Sequence, residues 1–167
     1  MIVHHNDNDL YSKSIMVVDD EIDIITVIKH LLQGNNNNNN SFYVYGFTNP
    51  FLALENFKLN YKDYVLIISD IKMRLINGFE FIKRVRQIHP TVKVLLMSAL
   101  DIDNDLFDSF QGLASSVMVD GFMQKPISMR NLNEIVQKTI LELKTIQEGL
   151  SPVLSSSQMR QSQPKQQ

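Results

Sequence analysis

Ile15-Met16-Val17-Val18-Asp19-Asp20-Glu21, residues 15–21, sets four apolar side chains in a row and stops them with three carboxylates. A strand with one wet face alternates apolar and polar residues. An unbroken apolar run suits a parallel strand buried on both faces. Further along, Tyr64-Val65-Leu66-Ile67-Ile68 repeats the arrangement and again runs into an acid, Asp70. Working outward from these two runs, Ile22, Ile25, Ile28, Leu31 and Leu32 recur at helical spacing, with Gly34 placed to end that helix. Phe42 to Tyr45 reads as a second strand on aromatic and β-branched content. Thr48-Asn49-Pro50 opens a helix whose inward face is expected to be Leu52, Leu54 and Phe57.

The remainder keeps the alternation. Asn77-Gly78 is a turn signal, followed by a helix carrying Phe79, Phe81, Ile82 and Val85 until His89-Pro90 stops it. Val92 to Met97 gives a fourth strand and Val119 to Met123 a weaker fifth, cut off by Lys125-Pro126. Between them, a short acidic helix is expected around Asp105 to Phe110. Ser128 is an N-cap candidate for a last helix with Leu132, Ile135, Val136, Ile140, Leu143 and Ile146 on one face. Five strand and helix alternations predict an open parallel α/β sheet.

The rest of the chain bounds the function. Its 167 residues hold one domain plus tails, and 44% hydrophobic with 20% charged residues is ordinary for a globular protein. A polar N-terminal arm is expected over 1–13, a domain over 14–149 with an Asn-rich loop at 35–40, and a disordered Ser/Gln-rich tail over 150–167. Net charge is -2, and the basic residues are scattered, with a mild cluster at Lys83, Arg84 and Arg86. That argues against direct nucleic-acid binding. The absence of cysteine excludes disulfides, thiolate metal sites and a cysteine nucleophile. No signal peptide or membrane-length apolar stretch is present, so a soluble cytoplasmic protein is the expectation. His4, His5, His30 and His89 have no ligand spacing, and Asp101 to Asp108 lacks the glycine and closing glutamate of a calcium loop.

In a parallel sheet of this kind, ligands bind beyond the carboxyl ends of the strands. The residues there are Asp19, Asp20, Asp70, Ser98 and Lys125. Converging carboxylates repel unless a cation intervenes, and an all-oxygen set suits Mg²⁺ (or Mn²⁺). A lysine and a hydroxyl beside them supply charge and a hydrogen bond to phosphate oxygens.

Taken in order, VVDDE at 17–21, SDIKM at 69–73 with Asn77-Gly78, MSA at 97–99 and KP at 125–126 resemble the response-regulator receiver domains of two-component signalling, typified by the bacterial chemotaxis regulator. The resemblance covers about residues 14 to 147. It implies a flavodoxin-like doubly wound five-stranded sheet of strand order 2-1-3-4-5. It makes Asp70 the phosphoacceptor and, with Asp19 and Asp20, a metal-binding acid, and the backbone carbonyl of Lys72 a further metal ligand. Ser98 matches the hydroxyl residue that follows the phosphoryl group, Lys125 the invariant lysine, and Phe122 the aromatic switch position. The implied donor is a phosphohistidine on a sensor histidine kinase or phosphotransfer protein. The implied output is a partner bound on the face of the 105–110 helix, the fifth strand and the last helix, as in single-domain regulators. Self-phosphorylation and autodephosphorylation dependent on Mg²⁺ are then the whole of its chemistry, so it is not a turnover enzyme.

The chain departs from that pattern in places. Arg74 stands where the family usually has proline, so a more mobile loop after Asp70 is expected. The stretch between Ser98 and Lys125 is longer than usual and lacks the usual Gly-Ala, which puts the output face in doubt more than the phosphorylation site. The wording FTNP with ALENFK, and the unusual 101–117 region, resemble archaeal relatives. Two rival readings stand beside the main one. A phosphorylation-independent interaction module on the same fold is disfavoured because every site residue is present. A phosphohydrolase is disfavoured because Lys72 stands where a second acid is wanted.

Overall fold

The structure, a computed structural model, describes residues 13–33, 42–99 and 117–147. Its strands are β1 (Ser14–Val18), β2 (Tyr43–Phe47), β3 (Tyr64–Asp70), β4 (Lys93–Ser98) and β5 (Gly121–Gln124). Its helices are α1 (Ile22–Gln33), α2 (Pro50–Asn60), α3 (Gly78–Ile88) and α4 (Met129–Gln147). The strands form one parallel sheet in the order β2-β1-β3-β4-β5.

The apolar runs are explained by what covers the two faces. Along β1, Met16 and Val18 join the core under α2 and α3 with Ala53, Leu54, Phe57, Phe81 and Ile82. Ile15 and Val17 face the other way, into a second core with Ile25 and Ile28 of α1 and Leu132 and Val136 of α4. With helices on both sides there is no wet face to mark by alternation. Each fully buried aliphatic side chain in these layers contributes about 1.5–3 kcal/mol against exposure. The edge strand β2 differs, since Val44 is buried while Tyr43 and Tyr45 are exposed.

Local sequence sets the helix starts. Asn49 caps α2 by accepting hydrogen bonds from the amides of Phe51 (2.9 Å) and Leu52 (3.4 Å), with Pro50 at the first helical position. Asn77 caps α3 through the amide of Glu80 at 2.9 Å.

Several expectations need correction. The buried face of α2 is Pro50, Ala53, Leu54 and Phe57, while Leu52 is exposed. That set follows one helical stripe; Leu52 lies off it. Ile22 at the head of α1 is likewise exposed. Strand β5 begins at Gly121, not Val119, because Asp120 turns its carboxylate back onto the amide of Val94 at 2.8 Å. The expected helix at 105–110, the Asn-rich loop, Gly34, both chain ends and the side chains of Ile140, Leu143 and Ile146 lie outside the described residues.

Arg86 is not part of a basic surface patch. Its guanidinium donates to the carbonyls of Val92, Val117 (3.2 Å) and Met118 and faces Asp120 at 3.4 Å. One partly buried cation thereby ties the end of α3 to the turn that leads into β5. All five strands end at the same rim of the sheet, and residues 34–41 join α1 to the opposite, amino end of β2. Among the described residues, no helix is long and apolar enough to cross a membrane.

Candidate functional site

The carboxyl rim gathers the acids because β1 and β3 are neighbours, with Val18 opposite Ser69 in the register. Asp19 and Asp70 extend from the two strand ends, and one oxygen each from Asp19, Asp20 and Asp70 lie within 4.8 Å of one another. Asp19 is fully buried and Asp70 nearly so. Asp19 does two jobs. Its Oδ1 accepts a hydrogen bond from the amide of Glu21 at 2.9 Å, shaping the entry to α1. Its Oδ2 pairs with Lys125 Nζ at 2.7 Å.

Lys125, almost wholly buried, reaches back over the rim from the end of β5. It is held there by its own amide, which donates to the carbonyl of Ser98 at 2.7 Å. The ammonium lies 2.7 Å from Asp19, 3.3 Å from Asp70 Oδ1 and 3.6 Å from the exposed Glu21. It therefore leans toward Asp19. Burial alone depresses an ammonium, but the bond to Asp19 and the charges of Asp19 and Asp70 outweigh it and raise the Lys125 pKa. Asp70 is pushed up from the ordinary carboxylate range, first by burial and then by the Asp19 charge, with Lys125 opposing both.

The remaining predicted residues take their places around this centre. Ser98 is buried at the end of β4, one residue beyond Met97, the register partner of Asp70. Phe122 lies on β5 opposite Leu96, half-buried against the core under α2 and α3. Lys72 is exposed in the loop leaving β3, between buried Ile71 and Met73.

Two residues emerge that the sequence reading did not assign. The loop after Asp70 is tied down: the Ile71 amide donates to the Met97 carbonyl and the Gly78 amide to the Ile71 carbonyl, both at 2.9 Å. Arg74 Nε donates to Asp20 Oδ2 at 3.1 Å. Gly78 is more than a turn residue, since a Cβ there falls 2.4 Å from the Asp70 carbonyl oxygen. Backbone meets backbone at that point and neither side can yield like a side chain. Gly78→Ala is expected to cost about 1–3 kcal/mol of stability, as overpacking does. It should also displace Asp70 and slow any chemistry there at least tenfold. Chemical denaturation and a rate measurement on the purified variant check this; a variant of unchanged stability and rate contradicts it.

The residues present fit a hard cation, having three clustered, largely buried carboxylates as an all-oxygen donor set. Comparison with known proteins agrees with the fold. The chemotaxis protein CheY4 of Vibrio cholerae shares the fold at TM-score 0.64 and 23% identity, over 76% of this chain and 98% of that one. A CheY-like receiver domain protein from Methanospirillum hungatei does so at TM-score 0.66 and 19% identity, over 80% and 98%. Among curated sequences, the alkaline phosphatase synthesis transcriptional regulatory protein PhoP of Bacillus subtilis is 29% identical over 75% of this chain, and 48% of PhoP is covered. The transcriptional regulatory protein ZraR of Klebsiella oxytoca is 34% identical over 51% of the chain, with 18% of ZraR covered. The chain thus spans less than half the length of these two relatives. The response regulator receiver domain family matches residues 15–137, the stretch that builds the sheet and its acidic rim; this chain belongs to that family, and so to two-component signalling.

Proposed function

We propose that the chain takes a phosphoryl group onto Asp70 from the phosphohistidine of a sensor histidine kinase or phosphotransfer protein. The observation that carries this reading is the meeting of Asp19, Asp20 and Asp70 with the buried ammonium of Lys125 at the carboxyl rim. An Asp70 carboxylate oxygen attacks phosphorus as the bond to the imidazole nitrogen breaks, and the leaving ring takes up a proton. Asp19, Asp20, Asp70 and the Lys72 carbonyl would hold a divalent cation, Mg²⁺ (or Mn²⁺). When bound, that ion offsets charge on the phosphoryl oxygens. Lys125 neutralises charge on the phosphoryl oxygens, and Ser98 donates a hydrogen bond to the product.

The acyl phosphate adds about -1.5 to -2 charge to the rim. Movement of Ser98 toward it opens space for Phe122, which reshapes the surface of β5 and α4 on which a partner docks. The reading places the protein in the cytoplasm, with its donor. Incubating the purified chain with acetyl phosphate and Mg²⁺ should add a single phosphoryl group by intact mass. Borohydride trapping should then place that group on Asp70. A chain that stays unmodified under these conditions, yet binds a partner tightly, would be a phosphorylation-independent module instead.

A further inference from the structure

The rim holds two cations, and the second lies outside the phosphoacceptor reading. Arg74 bonds Asp20 Oδ2 at 3.1 Å from the loop after β3, while Lys125 serves Asp19 and Asp70 from the end of β5. Asp20 is mostly covered, whereas the Arg74 side chain is 82% exposed. Beside this pair opens a cleft of about 340 Å³ walled in part by Thr48, Asn49 and Leu75. The guanidinium therefore has room to leave Asp20.

We propose that Arg74 is a resident counter-cation that a divalent ion must displace from Asp20, so that this arginine sets how tightly the unphosphorylated chain holds its metal. The inference rests on the proposed metal-dependent reading of the same site. Three carboxylates around the single Lys125 ammonium leave the rim short of positive charge, and Arg74 supplies part of it. A divalent ion drawn to the three carboxylates competes with Arg74 for the Asp20 carboxylate, and it supplies enough charge to make the guanidinium surplus. Like charges then repel Arg74 into the cleft. The exposed pair is weak and screened by salt, so the arginine tunes metal affinity without blocking it. Its position in the loop that follows Asp70 leaves the displaced guanidinium near the entrance for an anionic phosphoryl donor.

The test is calorimetric titration of Mg²⁺, and electron paramagnetic resonance of Mn²⁺, into the full unphosphorylated chain. Arg74→Gln is expected to bind either ion on the order of three- to tenfold more tightly than wild type at low salt. Arg74→Lys, which keeps the charge, is expected to stay near wild type. The gap between Arg74→Gln and wild type is expected to narrow as salt is raised, because the pair is exposed. Equal or weaker binding by Arg74→Gln overturns the inference while leaving the phosphoacceptor reading intact. A wild-type chain that binds neither ion strikes the phosphoacceptor reading itself, and the role of Arg74 with it. Arg74 is exposed enough that its substitution does not threaten folding.

Discussion

Asp70→Asn is expected to abolish phosphoryl uptake and, in the same chain, to raise the melting temperature at neutral pH without metal. The amide cannot serve as the nucleophile, so no modified mass should form with acetyl phosphate and Mg²⁺. The stability gain follows from where the carboxylate sits. Asp70 is buried beside Asp19, and Lys125 lies closer to Asp19 than to Asp70. Its pKa in the folded chain is accordingly raised above the ordinary 3.8, chiefly by burial. The folded protein then binds this proton more readily than the unfolded one. Stability falls as pH rises from about 3.8 through the folded-state value, and the loss is fully present above it. The neutral amide of the Asp70→Asn variant escapes that loss. The advantage should shrink as pH is lowered through that window and vanish beneath it. Melting curves with chelator at pH 7 and at acid pH decide the matter; a variant less stable than wild type at pH 7 refutes the account. Mg²⁺ must be absent, since a bound ion stabilises the wild type by mass action.

Lys125→Met is expected to have the second largest effect, slowing phosphorylation on the order of 10²- to 10³-fold, as removal of a preorganised charge partner does. Methionine keeps the buried stem packed and removes the charge alone. Fully buried Asp19 then loses its counter-ion, and Asp70 loses the one partner that lowers its pKa by charge. Breaking a buried pair on one side typically costs about 3–5 kcal/mol. Urea denaturation without metal should reveal a loss of that order, and added Mg²⁺ should recover much of it by replacing the missing charge. The rate should not recover, because a bound ion does not replace the ammonium that lies 3.3 Å from the Asp70 carboxylate. A variant that phosphorylates at the wild-type rate removes Lys125 from the mechanism.

The sheet is legible in the sequence because both of its faces are covered. β1 and β3 run apolar almost without a break into the carboxylates that follow or end them, and few other structures ask for that. The five rim residues can be named for the same reason, since strand ends in a parallel sheet are where ligands go. The inward face of α2 is harder to read because apolar residues ring the helix. Phe51, Leu52 and Leu59 are exposed, so composition alone does not reveal the stripe of Ala53, Leu54 and Phe57. Phe51 instead lies under the guanidinium of Arg84, whose central carbon is 5.7 Å from the ring centroid. In the sequence Arg74 reads as a departure that loosens its loop, whereas the loop is anchored through Ile71 and Gly78 and the arginine meets Asp20. The partner of an exposed arginine depends on loop geometry, which periodicity does not encode. Gly78 reads as a turn and no more for a similar reason. Its contact with the Asp70 backbone joins residues that share no element and no periodic pattern.

Because every strand points its carboxyl end at one rim, the molecule keeps two kinds of sequence apart. Gln33 ends α1 and Phe42 leads into β2 at the amino rim, with the full length of a strand between them and the acids. An asparagine tract can grow or shrink there at a small entropic charge that rises only with the logarithm of its length. At the other rim, a single methyl group on Gly78 is too much. Divergence and chemistry thus occupy opposite poles of the same sheet, and an inserted reporter or tag belongs at the amino pole.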